Sequence, residues 1–96
     1  MNIEDSDGTI IFAEKTSAGS VLTMKKCKEL KKPCVINPTP EYFTQWLEQN
    51  KIRILNVAGN RESVSPGIEN RTIKFLQLTI GTDKWKKLVI WFYNMD

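Results

Sequence analysis

Two short stretches carry the residues that could do chemistry. Gly59-Asn60-Arg61-Glu62-Ser63 follows an apolar run, Ile52 to Ala58, and leads into Ser65-Pro66-Gly67-Ile68. Ser17-Ala18-Gly19-Ser20, with Thr23 just beyond, follows a second apolar run, Gly8 to Ala13. Each joins a buried-strand composition to small residues and then to a helix start, where free backbone amides attract an anion. Gly19 and Ser20 would offer amides, Gly59 and Asn60 a tight turn, and Arg61 a charge-assisted bond to phosphate. Glu62 would orient Arg61, accept a ribose hydroxyl, or pair with Arg61 to hold the loop. An ordinary strand-to-helix connection uses the same residue types, so that reading stays open.

Other chemistries are restricted by composition. The chain has no histidine, which removes the commonest general base and metal ligand and any Ser-His or Cys-His pair. Cys27 and Cys34 are two in number and far apart, so they read as small buried hydrophobes with free thiols, and no metal site is expected. Glu14 or Glu62 as a base for nucleoside-phosphate hydrolysis is the weaker enzymatic alternative. The net charge is +3, with Lys25, Lys26, Lys28, Lys31 and Lys32 clustered on one predicted helix. Without interleaved exposed aromatics they read as a solvated face, and nucleic acid is not an expected partner. No apolar run approaches the ~20 residues that cross a bilayer, and the acidic N-terminus does not resemble a secretion signal. The expected location is the cytoplasm, with no membrane partner.

The elements that must position these stretches alternate. Gly8–Ala13 is a strand, and a helix from about Ser20 to Lys31 follows, stopped by Pro33. Cys34–Ile36 is a second strand. Thr39 caps a helix whose first residue is Pro40 and which buries Phe43, Trp46 and Leu47. The third strand is broken by Gly59-Asn60, because both residues tolerate positive φ. Ser65 and Pro66 read as cap and first residue of a helix ending at Ile80, with Gly81 beyond. Leu88–Tyr93 is a fourth strand or an edge that pairs with another chain. Asp5 and Asp7 read as turn formers. Residues 1–96 fit one domain, with 82–96 as an extension. Strands alternating with helices are parallel and joined by right-handed crossovers. The turns at Ser17–Ser20, Asn37–Thr39 and Gly59–Gly67 then share one edge of the sheet.

Asp5-Ser6-Asp7-Gly8-Thr9-Ile10-Ile11, Leu55-Asn56-Val57-Ala58-Gly59-Asn60-Arg61-Glu62-Ser63 and Ser65-Pro66-Gly67-Ile68 together resemble the putative molybdenum carrier family. That family is a circularly permuted branch of the SLOG, or lysine-decarboxylase-like, Rossmann superfamily, and the resemblance covers about residues 4 to 80. It implies an α/β fold, a Rossmann-like three-layer sandwich with a short, mostly parallel sheet of three to four strands. It also implies a nucleotide or molybdenum cofactor as the phosphate-containing ligand. Ser17, Gly19, Ser20 and Thr23 fall where the family has a Gly-Gly-Thr phosphate loop, here without the first glycine and with serine for threonine. Asn56, Gly59, Asn60, Arg61, Glu62 and Ser63 carry the second motif. Related hydrolases place a glutamate near the position of Thr23, so that activity is not expected. Family members also have a strand and a Gly-Gly-Gln-Thr-Gly loop ahead of the matched portion. Without them one side of the sheet should be uncovered, to be met by Leu88–Tyr93 or by a homodimer. The leading expectation is a non-enzymatic ligand-binding domain; the alternative is an interaction module that has lost its ligand.

Overall fold

Branched apolar runs separated by helix-forming stretches leave the strands no partners but one another, side by side and in the same direction. The computed structural model describes residues 2–14, 17–60, 62–63 and 65–95, with the backbone alone for Asn2 and Asn94. In chain order the elements are α1 (Asn2–Asp5), β1 (Gly8–Phe12), α2 (Ala18–Glu29), β2 (Cys34–Ile36), α3 (Pro40–Gln49), β3 (Ile54–Asn60), α4 (Ile68–Ile80), a 3-10 turn (Asp83–Trp85) and β4 (Val89–Met95). The four strands form one sheet in the order β2-β1-β3-β4, and every pairing is parallel. The C-terminal run is therefore a fourth strand, pairing Leu55 with Ile90 and Val57 with Phe92.

Alternation along the strands makes two faces. Ile10, Phe12, Leu55 and Val57 pack against Phe43, Trp46 and Leu47 of α3 and Ile68, Leu76 and Ile80 of α4. Phe43 is fully buried between Trp46, in a stacked pair, and Phe75. The opposite face carries Thr9, Ile11, Asn56 and Ala58, beneath Ser20, Thr23 and Cys27 of α2. The result is the expected three-layer α/β sandwich, with α3 and α4 on one side and α2 on the other.

Thr39 caps α3 by accepting the Tyr42 N–H, and Pro40 opens it, as local chemistry dictates. Three other expected boundaries move. First, α2 starts at Ala18 rather than Ser20, because Ser17 and Ser20 form a reciprocal capping box. Second, Gly59 and Asn60 do not break β3: they pair with Asn94 and Met95, and β4 holds them extended. Third, α4 begins at Ile68 behind Gly67, at φ 85°, because the Ser65 hydroxyl donates to Asn60 Oδ1 (3.0 Å) instead of capping the helix.

At the N-terminal edge of the sheet, Asp7 Oδ2 accepts the Arg53 and Ile54 N–H groups (2.9 and 2.8 Å), locking the start of β3 to β1. Those two bonds, Ile54's first, hold its carboxyl below the usual value. Asp5 lies in α1. Both acids stand at the far end of the strands from the loops considered below.

Candidate functional site

The chain leaves β1 toward β2 through α2 on one face, then crosses back over β1 to β3 through α3 on the other. The β1–α2 and β3–α4 loops thus diverge from adjacent strands at the C-terminal edge. This is the switch point at which open α/β sheets form a ligand crevice. Residues distant in sequence meet there, as the alternation of elements predicts.

Asn60, the last residue of β3, is the hub. Its amide nitrogen donates toward Ser17 Oγ (3.4 Å), and its Oδ1 accepts the buried Ser65 hydroxyl (3.0 Å). One side chain therefore ties the N-cap of α2 to the loop before α4. Asn37, in the left-handed region at φ 43°, closes the neighbouring strand end. Its side-chain amide donates to Ala13 O (2.7 Å) and its Oδ1 accepts the Ala13 N–H (3.0 Å), prolonging the ladder beyond β1. Asparagine tolerates that backbone region better than most residues, so the type is set by the geometry.

The two helix starts are not equivalent. In α2 the Ser20 N–H is taken by Ser17 Oγ (3.1 Å), so Ser20 offers no free amide. The first amides of the helix are instead those of Ala18 and Gly19, which have no partner within a helix starting there. In α4 the Glu62 carboxylate accepts the Gly67 and Glu69 N–H groups, one on each oxygen. An acid at this position is favoured by the helix dipole. The structure thus gives Glu62 a capping role at the start of α4.

The remaining predicted site residues divide. Gly59 lies beside the crevice at the end of β3. Asn56 is fully buried in mid-strand beneath α2, where its amide nitrogen donates to Thr9 Oγ1 (3.3 Å) and its Oδ1 has no protein partner among the described residues. Thr23 is also buried, its hydroxyl donating to Gly19 O within α2 (2.8 Å). Neither reaches the edge. Ser63 is exposed in the loop, and Arg61 lies outside the described residues.

Two recesses flank the switch point. One, of about 300 Å³, is lined by Gly59, Asn60, Ile68, Thr72, Phe92 and Tyr93 among others, between β3, β4 and α4. It lies at the small end of ligand pockets (~300–1,000 Å³), enough for a ring system. Phe92, 62% exposed, gives it an aromatic wall. The other, of about 400 Å³, is lined by Ala13, Asn37, Pro38 and Arg71, with Ile68 shared between the two. Arg71 in α4 forms an ion pair with Glu14. Both candidate bases, Glu14 and Glu62, are thus engaged with partners. The sequence placed the Asn37 turn on this edge but gave no individual role to Asn37, Arg71 or Phe92. Arg71 falls one turn into α4 from Ile68, a spacing that marks the face, but not the pairing across to Glu14.

Residues 1–80 match the family described as circularly permutated YpsA SLOG. The chain belongs to that family. Among solved structures, this SLOG-family chain is similar to a putative molybdenum carrier protein from Syntrophus aciditrophicus SB, at 31% identity and a TM-score of 0.73. The similarity covers 82% of this chain and 56% of that one, so the present chain matches little more than half the length of the relative. No curated protein matches. Within the described residues of this family member, no helix is long and apolar enough to cross a membrane, and no group of three or more His, Cys, Asp or Glu residues is placed to hold a metal ion.

Proposed function

We propose that this chain binds a nucleotide or a phosphorylated cofactor at the switch point, with molybdenum-cofactor carriage as the specific form of that role. The observation that carries the reading is the Ser17–Asn60–Ser65 hydrogen-bond chain, which joins the two diverging loops where such ligands sit in open α/β sheets. The Ala18 and Gly19 amides would receive a phosphate oxygen, and the Phe92 wall would take a flat ring. The likeness to the putative molybdenum carrier protein supports the choice of ligand class.

Titration with AMP and, separately, with inorganic phosphate, followed by amide NMR shifts, tests this. Both should move the Ala18 and Gly19 signals, and AMP alone should also move Phe92 and Ile73. Signals unchanged at millimolar ligand would remove the proposal.

A second reading, a homodimer or partner module, is favoured by α2. Val21, Leu22 and Met24 on this helix are 50%, 64% and 46% exposed. Sedimentation equilibrium of the full chain decides it, a mass of one chain at all concentrations ruling out the dimer.

A further inference from the structure

Three sulfur-bearing residues line one cavity away from the switch point, on the α2 face of the sheet. Cys34 opens β2, paired in register with Thr9 of β1. Cys27 sits in the last turns of α2, and its carbonyl accepts the Lys32 N–H (2.9 Å), which folds the chain back so that β2 starts beneath the helix. The two cysteines, seven positions apart in sequence, are brought by this turn to line the same cavity. Both are free cysteines, Cys27 buried and Cys34 partly so. Met24, one turn before Cys27 on the same helix face, lines a cavity of about 330 Å³ together with Cys27, Cys34, Lys28, Lys32 and Ile36.

We infer that Met24, Cys27 and Cys34 form a binding site for a soft monovalent cation of the Cu(I) class. Thiolate and thioether sulfurs select such ions over hard ones, and among the described residues no carboxylate, hydroxyl or imidazole side chain lines the cavity. Binding releases two thiol protons to solvent and changes no oxidation state. The two thiolates and one monovalent cation leave a single negative charge, and Lys28 and Lys32 at the same cavity offset it. A simple disulfide switch would explain the cysteines, but not the thioether and the two lysines around them.

The test is an anaerobic competition for Cu(I) between the reduced full-length chain and the chromogenic chelator bicinchoninate. One Cu(I) per chain should be withdrawn from the chelator, and the copper X-ray absorption edge should report a sulfur-only shell. Met24→Leu should weaken binding on the order of 10-fold, and the double variant Cys27→Ser/Cys34→Ser should abolish it with its circular dichroism unchanged. Failure of the wild-type chain to compete, a shell containing nitrogen or oxygen, or undiminished binding by a folded double variant would each overturn the site. If the double variant does not fold, the wild-type stoichiometry and absorption edge decide the matter alone.

Discussion

Glu62 and Asp7 show how a carboxylate is fixed by backbone amides from elsewhere in the chain. Asp7 receives two N–H groups from the start of β3, and its pKa is lowered from 3.8. A group depressed in the folded state stabilises above its unfolded pKa and loses that contribution as pH falls through the folded one. Asp7→Ala should therefore lower the urea midpoint at neutral pH, with the gap to the wild type narrowing in acid below the unfolded value. Two glycines give a second test. A Cβ on Gly8 would stand 2.6 Å from Ile52 Cδ1 and 3.0 Å from Trp46 Cη2, so Gly8→Ala should cost about 1–3 kcal/mol by chemical denaturation. Among the described residues a Cβ on Gly59 would meet only Phe12 O, at 3.5 Å. Gly59→Ala should leave stability within about 1 kcal/mol of the wild type while narrowing the recess beside Phe92, so ligand titration would separate binding from folding. Gly59 looked like a turn former because its type favours one. Pairing with Phe12 and Asn94 overrides that preference, and no local pattern carries this information.

Among the elements, α3 was the most legible and α4 the least. The cap Thr39, Pro40, and the spacing of Phe43, Trp46 and Leu47 all act within ten residues, so sequence and structure agree there. Phe43→Ala, which removes a ring buried against Trp46 and Phe75, should destabilise by about 3–5 kcal/mol in denaturant unfolding. The start of α4 was misplaced because the Ser65 hydroxyl is claimed by Asn60 and the cap comes from Glu62, five residues before Gly67. The same limit hid the Cys27–Cys34 approach. It depends on the register of β2 against β1 and on the turn after α2, whereas residue spacing suggested two unrelated hydrophobes. The convergence of loops at one edge was legible, since it follows from topology alone. Which side chains bond there was not.

For the molecule as a whole, the order β2-β1-β3-β4 leaves β3 dependent on both neighbours. Without β4, the long apolar strand Ile54–Asn60 would become an unpaired edge, a template for association with other chains. A chain ending at Gly81 should therefore aggregate, and light scattering at concentrations where the full chain stays clear would register it. A chain of this kind is also synthesised in an awkward order. On the ribosome, β1, β2 and β3 emerge first, while the partner that closes the outer side of β3 is still inside the exit tunnel. The nascent polypeptide thus waits with its central ladder half-made until β4 has been synthesised and has cleared the tunnel.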